Sequence, residues 1–329
     1  MTMKVALLGG GSLGTQYAQS LCELGNVEVT GVCDIQAEAA NKLASLCQSI
    51  AYASYEEMIA NTEPDIICVC LPTFMQKEYI LKAIAHGKHV ICEAPMAATS
   101  AEAEDIMSAA EAKGVRIFIG VAERFSPYYK NLKDKIAKGS IGDVGVTHIQ
   151  HSGPQPRGYK DWYTDESKSK GIIQQRLIHD IFLMRWILGE IRTVYAMHRA
   201  ASGIDYALVT LRLETGGIVN LAGHWGDSEP YRCRIEAAGN KGVVRYDSRN
   251  TSSYELKKKQ GSANTITAES PMLHSSYYYQ LEHFIDCIRS GAASQVAVKD
   301  VHQALQIAEA AIRSAQTGMP VPWGGMNHG

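Results

Sequence analysis

The residues best suited to bind a ligand begin with a glycine-rich turn near the N-terminus. Gly9, Gly11 and Gly14 have the spacing GxGxxG, directly after an apolar run at 5–8 and before a segment of helical periodicity. The spacing alone is weakly specific, but in this context each glycine has a physical role: a tight turn, close approach of backbone to a pyrophosphate, and close helix–strand packing. The pyrophosphate would lie at the positive end of the helix. We therefore predict that Gly9, Gly11, Ser12, Leu13 and Gly14 bind a dinucleotide.

An acidic residue follows the second apolar run, where ribose recognition is expected. Asp34 lies twenty residues after Gly14, at the end of the run 27–33. Its carboxylate can accept hydrogen bonds from an adenosine ribose diol and would repel a 2′-phosphate. The sequence therefore favours NAD over NADP as cofactor. The alternative is that Asp34 only caps the helix that begins near Ala37.

The elements that must position these residues alternate between two patterns over the first 120 or so residues. Apolar runs lie at 5–8, 27–33, 66–71, 89–92 and 116–121, and segments with helical periodicity lie between them at 13–24, 37–46, 77–85 and 101–113. Continuous apolar strands indicate burial on both faces, and intervening helices indicate right-handed crossovers. The pattern predicts an α/β protein with a Rossmann-type, doubly wound parallel sheet.

The pattern changes after Glu123. Helices are predicted at 127–138, 172–188, 277–290 and 299–317, a strand near 144–153, and alternating strands with hairpin-type glycine turns from 191 to about 258. Alternation of apolar and polar residues is typical of an antiparallel sheet with one buried face. We therefore predict two domains, residues 1–122 and residues 123–329, the second an α+β domain with a mostly antiparallel sheet.

Composition narrows the class of protein. The 32 Lys and Arg against 34 Asp and Glu give a net charge of −2 without blocks of like charge, which disfavours nucleic acid and membrane surfaces as partners. No apolar run approaches the ~18 residues of a membrane span. Eight scattered cysteines without CxxC spacing, and no pattern of a secretory leader, predict reduced thiols in a cytoplasmic protein. His148 and His151 fall on opposite faces of one strand, so no metal site is predicted.

With these motifs the chain resembles the Gfo/Idh/MocA family, the group of glucose–fructose oxidoreductase and inositol dehydrogenase. The resemblance extends over nearly the whole length. It rests on the glycine turn and on the segments 65–73, 87–95, 124–127, 139–144, 171–189, 283–286 and 314–321.

The resemblance implies a two-domain oxidoreductase with the nicotinamide in the cleft between an NAD-binding domain and a substrate-binding, oligomerisation domain. It implies a sugar, cyclitol or sugar derivative as substrate, and a homodimer or homotetramer that forms through the antiparallel sheet. Further cofactor contacts are then expected from two segments that follow strands: Leu71, Pro72 and Thr73, and Glu93 and Ala94. Arg124 and Trp162 are expected at the cleft, and Tyr163 is a candidate donor to substrate. Each of these three fits a surface or packing role equally well.

Three departures from the family bear on catalysis, one of them being Gln76, where the family often has a histidine after the Pro-Thr segment. The family usually has Glu-Lys-Pro where this chain has Glu93, Ala94 and Pro95, and it usually has Asp four residues before the helix histidine, where this chain has Gln175 before His179. Glutamine cannot raise the basicity of a neighbouring group as a carboxylate does. His179 is the residue of that constellation that keeps acid–base capacity near neutral pH.

Three functions stay open on the sequence. The first is an NAD-dependent oxidoreductase acting on a sugar or cyclitol hydroxyl, with His179 as acid/base and Gln175 orienting the substrate. The second is NAD-dependent cleavage of a glycoside by transient oxidation and elimination, with no net redox product; relatives of that kind can lack the lysine. The third is a catalytically silent nucleotide- or sugar-binding protein, because Ala94 and Gln175 replace two groups that contact the reacting hydroxyl.

Overall fold

The N-terminal half is built around a six-stranded parallel sheet. This computed structural model describes residues 2–201, 203–226, 229–249, 254–260, 263–269 and 273–323, with backbone only for 254–260 and 263–269. The strands of the sheet are β1 (Met3–Leu8), β2 (Val27–Cys33), β3 (Ile50–Tyr52), β4 (Ile66–Val69), β5 (His89–Glu93) and β6 (Ile117–Gly120). The crossover helices are α1 (Ser12–Glu23), α2 (Ala37–Leu46), α3 (Tyr55–Thr62), α4 (Thr73–Ala85) and α5 (Ser100–Lys113).

The strand order is β3-β2-β1-β4-β5-β6, with all neighbours parallel. This order places a topological switch point between β1 and β4, where doubly wound sheets bind nucleotides. Of the central strands, β4 is buried at every residue and β1 is buried over its last four residues. The predicted Rossmann-type parallel sheet is therefore confirmed. The sequence prediction missed β3 and α3.

The second half forms a mixed sheet covered on one face by helices. Its elements follow in chain order: α6 (Pro127–Ala137), β7 (Val144–Gly153), α7 (Glu166–Ser169), α8 (Ile178–Leu188), β8 (Ile191–Ala201), β9 (Ile204–Leu213), β10 (Ile218–Trp225), β11 (Arg232–Gly239), β12 (Gly242–Asp247), β13 (Tyr254–Gln260), β14 (Ala263–Glu269), α9 (Ser276–Ser290), α10 (Val298–Thr317) and β15 (Val321–Pro322). The sheet has the order β12-β11-β7-β10-β9-β8-β15, and β7 pairs parallel with β10 while the other pairs are antiparallel. The prediction of a mostly antiparallel sheet is confirmed, and β13 and β14 form a separate hairpin.

The two halves are joined by helices that return to the parallel sheet. Helix α9 packs against α1, and its Phe284 lies 5.2 Å from Phe118 of β6, measured between ring centroids. Helix α10 packs on β8 and α8, and Glu309 of α10 accepts hydrogen bonds from the backbone N–H and hydroxyl of Ser100. The C-terminal helices therefore fix the position of the second half on the first. The boundary at 122/123 stays a prediction.

One predicted helix, 172–188, has a break in its hydrogen-bond pattern. Residues Ile173–Leu177 form a π-helical turn, and the regular α-helix begins only at Ile178. A π turn inserts an extra residue into the helical ladder and turns the side chains before it relative to those after it. The simple four-residue spacing from Gln175 to His179 therefore does not place both side chains as a regular helix would. No helix in the described part of the chain is both long and apolar enough to cross a membrane.

Candidate active site

A cavity of about 710 Å³ opens at the carboxyl ends of β1, β2, β4 and β5 and continues to the second half of the chain. Fourteen of the sixteen residues predicted for the site line it; the exceptions are Gly14 and Arg124. The structure therefore brings the glycine turn, Asp34, His179 and the aromatic loop of the second half to one space. Cavities at the switch point of a doubly wound sheet are the usual place for a dinucleotide.

The glycine turn leaves room for phosphate groups at the N-terminus of α1. Gly9 has a φ of +106°, and a Cβ there would lie 2.4 Å from the carbonyl oxygen of Cys70. A Cβ on Gly14 would lie 2.0 Å from the carbonyl oxygen of Gly9, so Gly14 acts by packing and not by lining the cavity. By contrast, a Cβ on Gly11 would meet nothing within 4 Å, so the backbone of Gly11 faces open space. The turn thus fits the pyrophosphate of a dinucleotide.

Asp34 holds the glycine turn in place as well as facing the cavity. Its Oδ2 accepts a hydrogen bond from the N–H of Gly10 at 2.6 Å, and its Oδ1 accepts one from the N–H of Gln36 at 2.7 Å. The second bond is an Asx-type contact before α2. The N-cap of that helix is Gln36, without a side-chain capping bond, so Asp34 does not cap α2. The carboxylate also lines the cavity, where a ribose diol would be within its reach.

Glu93 lines the cavity at the end of β5 and belongs to a buried network. Its Oε1 accepts hydrogen bonds from the hydroxyl of Tyr17 and from Nε2 of Gln280, both at 2.6 Å. Burial raises the pKa of Glu93, and the two hydrogen bonds oppose that rise. The network links α1, β5 and α9 beneath the cavity. Beside it, Ala94 has no polar side-chain atom to offer a substrate.

Gln175 connects the two walls of the cavity. Its Oε1 accepts a hydrogen bond from the hydroxyl of Thr73 at 3.0 Å, and its Nε2 donates to the carbonyl oxygen of Ser169 at 2.7 Å. Both polar atoms of the amide are therefore engaged with the protein. Leu71 and Pro72, which precede Thr73, also line the cavity.

His179 lines the cavity with one face and contacts a carboxylate with the other. Its side chain is 13% exposed, and its Nδ1 is buried 3.4 Å from Oε2 of Glu123, too long or misaligned for a formed hydrogen bond. Burial by itself lowers the pKa of His179, but the charge of Glu123 outweighs this effect and the pKa is raised. Because Nδ1 is buried, Nε2 is the ring nitrogen available to a ligand in the cavity.

The aromatic loop before α7 forms the wall opposite the parallel sheet. Trp162 is buried, packs on Tyr163 with 4.0 Å between ring centroids, and contacts Phe74 of α4. Tyr159 and Tyr163 line the cavity with Trp162.

The expectation that Arg124 lies at the cleft is not met. Its guanidinium stacks on Trp186, with its central carbon 3.6 Å from the ring centroid, and it does not line the cavity. The cause is local: the 3₁₀ turn Ala122–Phe125 aims Glu123 at His179 and turns the next side chain toward α8.

Among the residues at the site that the sequence did not predict, Glu123, Arg176 and Tyr277 bear most on its chemistry. Glu123 and Arg176 flank His179, with Nη1 of Arg176 donating to Oε1 of Glu123 at 2.7 Å, and Tyr277 of α9 lines the cavity. Arg176 lies in the π-helical turn, so its three-residue spacing from His179 was not a reliable signal. Glu123 and Tyr277 come from elements distant in sequence, and no spacing links them to His179.

Comparisons with known proteins agree with this arrangement. Residues 3–121 match the GFO_IDH_MocA oxidoreductase family, NAD-binding Rossmann fold, and residues 133–323 match the C-terminal alpha/beta domain of that family. The chain is 26% identical to the uncharacterized oxidoreductase YrbE of Bacillus subtilis (96% of this chain, 95% of that protein) and 26% identical to myo-inositol 2-dehydrogenase of Thermotoga maritima (95% and 96%). GenD2 from gentamicin A biosynthesis, solved in complex with NAD, superposes with a TM-score of 0.89 at 22% identity (98% and 97%). The predictions of an enzyme and of NAD as its cofactor are confirmed, and the chain belongs to the Gfo/Idh/MocA family of NAD-dependent oxidoreductases.

Proposed function

We propose that the protein oxidises a hydroxyl of a sugar, cyclitol or sugar derivative, with His179 as the acid/base. The observation that supports this most directly is that His179 lines the same cavity as the glycine turn and Asp34. NAD, when bound, supplies the acceptor for the hydride that leaves the alcohol carbon. His179 takes the hydroxyl proton on Nε2, because its Nδ1 is buried.

The walls of the cavity suit a carbohydrate ring. Tyr159, Trp162, Tyr163 and Tyr277 line it, and aromatic faces pack well against the C–H faces of a ring whose hydroxyls bond elsewhere. Myo-inositol 2-dehydrogenase of Thermotoga maritima, similar over nearly the whole chain, is named for a cyclitol substrate. Gln175 has both polar atoms bound within the protein, so we assign it the positioning of the cavity walls and an orienting contact to substrate through the second N–H of its amide.

The test is an assay of NADH formation with purified protein, NAD and a panel of free sugars, cyclitols and glycosides, with released aglycone measured in the same samples. We expect NADH to accumulate with at least one free sugar or cyclitol. His179→Ala should abolish this turnover while the dissociation constant for NAD stays within about twofold, because a positioned acid–base group contributes ~10²–10⁴ in rate and His179 does not hold the glycine turn. Undiminished turnover in His179→Ala would refute the assignment.

Glycoside cleavage by transient oxidation is the second candidate, favoured by Ala94. An alanine at this point of the cavity wall leaves no ammonium beside the reacting hydroxyl. Aglycone release without lasting NADH would establish this reaction. If neither product appears across a broad panel, the silent binding protein becomes the better hypothesis, and gain of activity in the double variant Ala94→Lys with Gln175→Asp would support it.

We also propose that the protein is cytoplasmic and that residues 123–329 form its substrate-binding domain. We propose further that it forms a homodimer or homotetramer through the outer face of the mixed sheet. Apolar side chains are exposed on that face, including Met197, Tyr206 and Ile218, whose strand neighbours point inward to the helices. An exposed apolar face of this kind is typical of a subunit interface. Light scattering should give a mass above one chain, and Tyr206→Glu should reduce it.

A further inference from the structure

The acid/base histidine has a carboxylate neighbour, but not on its own helix. Oε2 of Glu123 lies 3.4 Å from the buried Nδ1 of His179. Glu123 belongs to the 3₁₀ turn Ala122–Phe125 that follows β6, and so comes from the parallel-sheet side of the cavity. On the helix itself, the residue four positions before His179 is Gln175, whose amide is bound to Thr73 and Ser169.

The Glu123 carboxylate is fixed from its other side. Its Oε1 accepts a hydrogen bond from Nη1 of Arg176 at 2.7 Å. Nη2 of Arg176 lies 3.0 Å from Nε2 of His151 and 3.8 Å from Oδ1 of the buried Asp180. These contacts hold Arg176, and Arg176 in turn holds Oε1 of Glu123. The other carboxylate oxygen, Oε2, is therefore the one that faces His179.

We propose that Glu123 is the positioning carboxylate of His179, supplied from the turn after β6 and not from the histidine's own helix. This inference rests on the proposed function, since it assigns a partner to the residue proposed as acid/base. It gives His179 a carboxylate partner although the helix position four residues before it is Gln175.

The geometry gives each nitrogen of His179 one role. In the oxidation, Nε2 of His179 would take the proton as the O–H bond of the substrate breaks, and NAD, when bound, would accept the hydride released as the carbonyl forms. Glu123 stays ionised throughout, and its charge beside Nδ1 favours the tautomer with the proton on Nδ1, which leaves Nε2 free as base. The contact of 3.4 Å would shorten as the imidazolium forms, as is common for such pairs.

Three charged groups act on His179, and their signs make the inference testable. Burial lowers the pKa of His179, Glu123 and the more distant Glu93 raise it, and Arg176 lowers it. Removal of Glu123's charge must therefore lower the pKa of His179, and removal of Arg176's charge must raise it. If the two substitutions acted only by disrupting the Glu123–Arg176 ion pair, both would change the pKa of His179 in the same direction.

The first measurement is a titration of the His179 ring by NMR in the whole protein, which needs no substrate. We expect Glu123→Gln to lower the pKa of His179, Glu123→Asp to keep it above the value in Glu123→Gln, and Arg176→Gln to raise it. Glu104→Gln is the matched control, because Glu104 lies 3.3 Å from a different histidine, His302 of α10. If Glu123→Gln does not fold, the pKa of His179 in Arg176→Gln and in Glu123→Asp, each compared with the wild type, still shows in which direction the neighbouring charges shift that pKa. An unchanged pKa in the folded variants overturns the inference.

The second measurement is the pH dependence of kcat/KM with a substrate found in the panel. Oxidation needs neutral His179, so the acidic limb follows its pKa: it should move to lower pH in Glu123→Gln and to higher pH in Arg176→Gln. The plateau should fall about 10²-fold in Glu123→Gln, at the low end for a positioned acid–base group, with partial recovery in Glu123→Asp. Shifted NMR titrations without any turnover would refute the proposed function and leave the pairing intact; turnover with unshifted limbs would refute the pairing alone.

Discussion

The Asp34 carboxylate offers a sharp test of how the cofactor site is built. We expect Asp34→Asn to weaken NAD binding, because an amide can accept only one of the two backbone hydrogen bonds, from Gly10 and Gln36, that the carboxylate accepts now. The carboxylate would also accept a hydrogen bond from a ribose hydroxyl in the complex alone, and a hydrogen bond to a charged group contributes roughly 1.5–3 kcal/mol. At about 1.4 kcal/mol per factor of ten, the dissociation constant for NAD should rise about 10- to 100-fold.

The same change should alter the preference between the two nicotinamide cofactors. Removal of the negative charge removes the repulsion of a 2′-phosphate, so binding of NADP should weaken less than binding of NAD, or improve. Calorimetric titration of both cofactors against wild type and Asp34→Asn measures the ratio directly, and addition of salt should reduce the difference in NADP binding between the two proteins.

Asp65→Asn is the matched control for Asp34→Asn. Asp65 also accepts a hydrogen bond from a backbone N–H, that of Lys4, at 2.9 Å. It directly precedes β4, however, and so lies at the amino ends of the strands, opposite the cavity. Its substitution should leave both dissociation constants unchanged. Wild-type affinity for NAD in Asp34→Asn, or an unchanged ratio of NAD to NADP affinity, would show that Asp34 neither holds the turn nor reads the ribose.

Three further predictions follow from the packing beneath the cavity and from two positions, Ala94 and Gln175, at which the chain departs from the family. Gly14→Ala should lower the free energy of unfolding by about 1–3 kcal/mol in urea, because the new Cβ would lie 2.0 Å from a backbone oxygen that cannot move freely. Tyr17→Phe should cost roughly 1.5–3 kcal/mol at a pH where Glu93 is ionised. Because burial raises the pKa of Glu93, this deficit should shrink as the pH falls and the carboxyl protonates. The double variant Ala94→Lys with Gln175→Asp should not have a higher kcat than the wild type if the wild-type protein is an active enzyme. A large gain in kcat over the wild type would indicate that the wild-type protein is catalytically silent.

The parallel sheet was predictable because its information is local. Nearly continuous apolar runs form the strands β1, β2, β4, β5 and β6. Because both faces of the sheet are covered by helices, successive residues of these strands are buried and apolar. The runs were therefore found within a few residues of their bounds. Strand β3 was missed because it has three residues, the first of them exposed, and such a short strand is defined by its pairing with β2 and not by its composition.

The cofactor half of the site was predictable for a related reason. A nucleotide is held there mainly by the backbone, so the sequence carries the requirement as glycines at fixed spacing and one acid at the end of the next strand. The steric environment of Gly9 and Gly14 bears this out, since a Cβ at either would collide with backbone oxygen. The aromatic loop was harder, because its conformation depends on Lys160 and Asp161 with positive φ, which neither residue type requires.

The acid–base half of the site depends on contacts that no spacing encodes. Judged from the helix sequence alone, His179 lacks a carboxylate neighbour, because the position four residues before it is Gln175. The charge that acts on an imidazole depends on distance in space, and the turn after β6 brings Glu123 to 3.4 Å from Nδ1 whichever element it belongs to. Loss of a catalytic side chain at one position is therefore evidence for a silent protein only when the neighbouring elements supply no substitute. Here the neighbouring turn supplies one, which makes an active dehydrogenase the stronger hypothesis.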